Sequence, residues 1–273
     1  MADTLAGFSR FDFAWQGTAK PVFRAGEGPG VIVMHELPGI TPELVAFARR
    51  VVSAGFRVYA PALFGDPGRP HSTAYLAGSM VRACLSRELA VWAGDRTSPI
   101  VDWLRALARR VHAECGGRSV GAVGMCITGN FALALAVDPQ VAAPVMSQPS
   151  MPWAVPLPGF GRAARALHLP PDDLAALRAR ARDGLAILGL RFADDWQCPA
   201  ARFARLRAEF GDAFEAVEIG ADAPPGAAVR RGHSVLTLDL VDREGEPTRA
   251  ALERVLAFLK ERLAPETPVS APR

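Results

Sequence analysis

The chain alternates short apolar runs with longer segments whose apolar positions recur every three or four residues. Val31–His35 (Val-Ile-Val-Met-His) is continuous and apolar, as expected for a strand covered on both faces. It closes in Pro38-Gly39, and Thr41 then stands where it would cap a helix running to about Ala54, with Glu43 in the first turn. Arg57–Ala60 predicts the next strand, stopped by Pro61. Residues 97–115 predict a long helix with Ile100, Leu104, Leu107 and Val111 on one stripe. A strand at Val120–Met125, a helix at Ile127–Val137 and a strand at Val141–Met146 follow. Strands at Leu185–Arg191 and Ala216–Ile219 flank a helix near Ala200–Phe210, and a last helix spans about Thr248 to Leu263. Phe11–Trp15 and Pro21–Arg24 fit an opening hairpin. This order predicts an α/β fold, a mostly parallel sheet with helices on both faces.

Two stretches break the rhythm. Gln148–Pro171 holds six prolines and leads into an amphipathic segment, Asp172–Arg182, which predicts an insertion at about 148–183 over the carboxyl edge of the sheet. Such an insertion is either a small lid or a long surface loop. Residues 222–231 are a Pro/Gly/Ala loop just ahead of His233, and 265–273 reads as a disordered tail. Residues 1–264 therefore read as one domain, long for a single compact unit, although single α/β domains often reach roughly 200–250 residues.

Composition narrows the partners. Half of the residues are hydrophobic and 22% are charged, as in a globular protein with a sizeable core. The net charge is +3, Lys20 and Lys260 are the only lysines, and no basic run would track phosphates, which argues against nucleic acid. No apolar stretch approaches the roughly 18 residues that span a bilayer, and Met1–Gly17 lacks a signal-peptide pattern. The four cysteines form no Cys-x-x-Cys pair, and His35 and Glu36, though adjacent, would face opposite sides of a strand end. A cytoplasmic protein without metal or cofactor is the expectation, with oligomeric state open and a monomer compatible.

The sharpest chemical signal is Gly121-Ala-Val-Gly-Met-Cys-Ile-Thr-Gly129, a buried strand that meets Cys126 and passes directly into a helix. That is the setting of a nucleophile elbow, where a tight turn lifts the nucleophile above the sheet and small neighbours such as Gly124 and Gly129 relieve the crowding. A helix beginning at Ile127 would favour the thiolate through its dipole and unpaired N–H groups. Taken by itself, the motif fits a small buried hydrophobe equally well. Gly117-Arg-Ser119-Val-Gly121 matches Gly-x-Ser-x-Gly by letter, yet Ser119 precedes the strand, at the end away from the chemistry in open α/β sheets.

A nucleophile needs a base and the base an orienting acid, which follow in the order nucleophile, Asp/Glu, His in this architecture. Only His168 and His233 lie downstream of Cys126. His168 has no strand ahead of it, whereas His233 follows the last strand through a loop. The acid should come after Leu185–Arg191, where Asp194 and Asp195 stand side by side; the spacing leaves both open.

Four segments together resemble the dienelactone hydrolases, of the α/β-hydrolase fold, in that family's order: Val31–Ile40 with Glu36, the Gly-x-Cys elbow, Asp195-x-x-x-Pro199, and Gly232-His-Ser234. The resemblance covers about residues 11 to 263. It implies a triad of Cys126, Asp195 and His233, and so selects Asp195 over Asp194. It places Glu36 beside the resting thiol as a participant in its activation, and it implies an oxyanion hole formed by the backbone N–H groups of Leu37 and Ile127. Arg82 matches one of the arginines that hold a substrate carboxylate. Thr128 stands where glycine is usual, Thr237 where a second arginine would be sought, and the Pro-rich insertion has no counterpart. These departures weigh against dienelactone itself as substrate. The implied activity is hydrolysis of a small-molecule lactone or activated ester through a thioester acyl-enzyme. The alternatives are a hydrolase of thioesters or other acyl compounds, and a binding protein that has kept only the fold.

Overall fold

A computed structural model describes residues 4–85, 98–150, 164–221 and 232–263, the side chains of 82–85 excepted. The opening hairpin is β1 (Ser9–Trp15) and β2 (Thr18–Ala25), followed by β3 (Gly30–Met34), α1 (Pro42–Ser53) and β4 (Arg57–Pro61). Then come α2 (Thr73–Leu85), α3 (Pro99–Glu114), β5 (Val120–Met125), α4 (Ile127–Leu135) and β6 (Val141–Ser147). The described chain continues with α5 (Pro171–Arg182), β7 (Ile187–Phe192), α6 (Ala200–Phe210), β8 (Phe214–Ile219) and α7 (Pro247–Leu263). The eight strands lie in the order β1-β2-β4-β3-β5-β6-β7-β8, parallel from β4 to β8 and antiparallel where β2 meets β1 and β4.

Each central strand serves two cores, because successive side chains leave a strand on opposite faces. In β3, Ile32 and Met34 join Leu104, Leu107 and Phe131 from α3 and α4, while Val31 and Val33 join Phe47, Val51 and Phe258 from α1 and α7. β5 repeats the division, with Val120 and Ala122 on the first face and Val123 and Met125 on the second. The stripe Ile100, Leu104, Leu107, Val111 is fully buried. Helix starts follow the chain chemistry: Thr41 accepts from the Leu44 N–H at 3.5 Å, Ser98 from the Ile100 N–H at 3.4 Å, and a proline stands at the first turn of each.

The α/β architecture with helices on both faces is the one expected. α2 is an addition to it, for Thr73–Leu85 is apolar nearly throughout and offers no stripe by which to read a helix. β7 starts two residues later than Leu185, and α4 stops at Leu135 ahead of the turn around Asp138. Of the insertion, residues 151–163 lie outside the described residues, and so does the tail; the segment around 172–182 is helix α5, of which Leu177 reaches the core. No helix among the described residues is long and apolar enough to cross a membrane.

Candidate active site

β5 delivers its last residue, Met125, to the carboxyl edge of the sheet, and Cys126 follows with φ 56° and ψ −122°. That is a left-handed region that a residue with a Cβ occupies only when its surroundings impose it. Here they do. The Cys126 N–H donates to the Ser147 carbonyl at 3.1 Å, its own carbonyl accepts from the N–H groups of Gly129 and Ser150, both at 3.1 Å, and α4 starts at the next residue. A Cβ on Gly124 would stand 1.9 Å from the Thr128 carbonyl oxygen, and one on Gly129 would press on Pro149 and Ser147 at 3.0 Å. The glycines are therefore required by the turn's closeness.

Thr128 ties the elbow down. Its hydroxyl accepts from the Met125 N–H at 2.8 Å and reaches the Met34 and His35 carbonyls at 3.0 and 3.2 Å, joining the turn to the end of β3. The departure from glycine at this position thus brings a fastening with it. Ser119 sits at the opposite end of β5 from Cys126.

On the other side of the site, His233 Nδ1 lies 2.8 Å from Asp195 Oδ2. Asp195 is buried and its second oxygen accepts from the Gln197 N–H at 2.9 Å, whereas Asp194 is exposed. Burial by itself would lower the pKa of the imidazole; the bond to Asp195 and the neighbouring Cys126 outweigh it and raise His233 well above the ordinary 6.5. Nε2 of His233 is buried without a well-aligned hydrogen-bond partner among the described residues, and the ring interacts with the Cys126 thiol, which helps to raise it. Cys126 Sγ instead lies 3.0 Å from the hydroxyl of Ser150.

Glu36, buried at the end of β3, has its two oxygens taken by three neutral donors. Ser234 Oγ donates to Oε2 at 2.8 Å, Gln148 Nε2 to the same oxygen at 3.2 Å, and the Thr237 hydroxyl to Oε1. Among the described residues it makes no hydrogen bond to Cys126. Its carboxylate grips the loop that carries His233, and Asp239 grips the same loop, accepting from the N–H groups of His233 at 2.8 Å and Ser234 at 2.9 Å.

His35 diverges from its neighbour. Its Nε2 accepts from the Leu63 and Phe64 N–H groups at 3.0 and 3.3 Å, so Nδ1 carries the proton that is given to the Glu36 carbonyl at 2.8 Å. Burial pushes it down to about 4, and the ring is a neutral strut under the Glu36–Leu37 turn. Among the described residues neither the Leu37 nor the Ile127 N–H donates to a protein acceptor, which leaves both available to an oxyanion.

Several residues of the site carried no signal in the sequence. Arg202, buried in the first turn of α6, donates to the Pro149 carbonyl at 2.6 Å, and its charge is felt at Cys126 and Asp195. Arg191, a buried residue of β7, holds the Asp195 loop by bonds to the carbonyls of Cys198 at 2.7 Å and Ala193 at 2.8 Å. An arginine in an Arg/Ala-rich chain looks like surface charge until the fold buries it. Cys198 is packed in the core, and burial pushes its thiol up to about 12. His168 is buried beside Arg202 and is held down to about 3 by burial and that charge. Arg82 lies on α2 with its side chain outside the described residues. Among the described residues no three His, Cys, Asp or Glu side chains gather as a metal would need.

Comparison with known proteins gives the same fold. A Klebsiella pneumoniae protein described as a candidate dienelactone hydrolase is 21% identical, with a TM-score of 0.61 over 93% of this chain and 98% of its own. A dienelactone hydrolase-like promiscuous phosphotriesterase from metagenomic libraries is 18% identical, with a TM-score of 0.59 over 93% of this chain and 98% of its own. The dienelactone hydrolase of Anabaena variabilis gives 12%, 0.58, 94% and 99%. No curated protein sequence matches the chain. The model of the dienelactone hydrolase family matches residues 18–154, just over half of the chain. With this match, the chain belongs to the dienelactone hydrolase family, and through it to the carboxylic ester hydrolases.

Proposed function

We propose that the protein hydrolyses a lactone or activated ester by acyl transfer to Cys126, with His233 as base and Asp195 as the group that orients it. The observation that carries this reading is the strained Cys126 backbone at the head of α4, with its thiol interacting with an imidazole bonded to a buried carboxylate at 2.8 Å. A raised His233 keeps the proton on the ring and leaves the sulfur as thiolate. The thiolate attacks the acyl carbon, and the oxygen's developing charge rests on the N–H groups of Leu37 and Ile127. Donors fixed in that way commonly give roughly 100- to 1,000-fold in rate. The alkoxide leaves with the proton from His233. The neutral ring then takes a proton from water, which adds to the thioester and expels the thiolate. Glu36 acts as a positioning residue, through Ser234 and Thr237 on the loop of the base.

The test is hydrolysis of p-nitrophenyl acetate and of a carboxylate-bearing lactone by wild type and Cys126→Ala, with intact mass after a rapid quench. Loss of at least about a thousandfold in the variant, together with an acetyl adduct on Cys126 in wild type, is expected. Unchanged activity in Cys126→Ala would remove the reading.

A further inference from the structure

We propose that Ser150 is a further catalytic residue, whose hydroxyl donates a hydrogen bond to the Cys126 sulfur and stabilises it as the attacking and departing thiolate. This rests on the reading of Cys126 as nucleophile. The hydroxyl lies 3.0 Å from Sγ and has no other partner among the described residues.

Ser150 is 1% exposed and both its backbone N–H and its carbonyl are hydrogen-bonded, which restrains where the hydroxyl can lie. Its N–H donates to the Cys126 carbonyl at 3.1 Å, its carbonyl accepts from Asn130 Nδ2 at 3.1 Å, and the preceding carbonyl, of Pro149, is held by Arg202 at 2.6 Å. The same short loop is thus bonded to the residue before α4, to α4 itself and to α6. Glu36 is spent on Ser234, Thr237 and Gln148, and the His233 imidazole is the other polar group that interacts with the sulfur.

A neutral thiol is a weak acceptor and a thiolate a strong one, so a hydroxyl donor favours the ionised sulfur over the protonated one. The bond weakens when the sulfur is acylated and loses its charge. It strengthens again when water has added to the thioester and the C–S bond breaks, with the electron pair returning to sulfur and the water's proton to His233. One hydroxyl thereby raises the share of sulfur that is ionised before the attack and assists its expulsion afterwards, and Arg202 adds positive charge felt at the same sulfur.

The experiment is the pH dependence of Cys126 alkylation by iodoacetamide, located by peptide mass, in wild type, Ser150→Ala and Ser150→Gly, each variant checked by thermal melting. Deleting a donor to a charged group should move the alkylation profile upward by about one pH unit or more and lower the rate at neutral pH about tenfold. A merely structural role would lower the melting temperature without moving the midpoint of the profile. An unmoved profile in either folded variant would overturn the role of Ser150 and leave the nucleophile in place. A wild-type Cys126 that resists alkylation at neutral pH would remove the nucleophile reading and the Ser150 role with it.

Discussion

Around Cys126 most of the groups that set the geometry come from one short segment, Gly124 to Gly129, fastened to the ends of β3 and β6 and to Ser150. Around His233 they come from three distant parts of the chain, Asp195 after β7, Glu36 after β3 and Gln148 after β6, together with Asp239 on the loop itself. Cys126 is held by backbone conformation, and His233 is held by carboxylates. The difference teaches where each half is vulnerable. A steric change breaks the first, and the loss of one buried charge loosens the second.

Gly124→Ala should give the largest effect. The added Cβ meets backbone, the Thr128 carbonyl at 1.9 Å, and no side chain can move aside to admit it. We expect activity to fall more than about a hundredfold and stability by about 3 kcal/mol, read from kcat/KM and a urea melt. Normal turnover in this variant would mean the elbow relaxes freely and would erase the contrast.

Glu36→Ala is the matching change on the other side. It leaves Ser234, Thr237 and Gln148 facing an empty, buried position. Displacement of the loop should lower kcat by about ten- to a hundredfold, with stability down by about 2–3 kcal/mol. The alkylation rate of Cys126 by a small reagent at high pH, where the thiol is ionised without help, should stay near wild type. A large fall there would show that the two halves are not separable.

Acid acts on the strut between them. His35 is folded as the neutral ring at about 4 against 6.5 unfolded, so the unfolded chain binds the extra proton between these values. Its contribution, roughly 3 kcal/mol, is present above pH 6.5 and is lost as pH falls toward 4, with His168 adding in the same direction. Stability measured by denaturant titration across that window should decline, and His35→Gln should flatten the decline. A flat profile in wild type would remove the strut.

The elbow was legible in the chain because its causes are consecutive. Gly124, Cys126 and Gly129 stand at fixed offsets in a strand-to-helix junction, and the same residues make the turn. Strands β3, β5 and β6 and helices α1 and α6 were legible for the same reason, since side-chain periodicity reports directly which faces are covered. α2 was not, because a run apolar on every side carries no period. Asp195 and Asp194 were indistinguishable by spacing and needed a family resemblance, whereas the fold separates them at once by burying one and exposing the other. Arg202, Arg191 and Ser150 gave no sign, for nothing within a few residues of any of them records what lies across the sheet.

The sequence by itself determined the α/β class, the order of the strands and the position of the cysteine in a turn, all of which follow from local propensity and period. Only the tertiary structure decided which carboxylate meets His233, that Glu36 serves the histidine loop, and that Ser150 touches the Cys126 sulfur. Those contacts join residues from 24 to 201 positions apart. Their geometry is set by how the strands stack and the loops close above them, and burial then gives each hydrogen bond its weight.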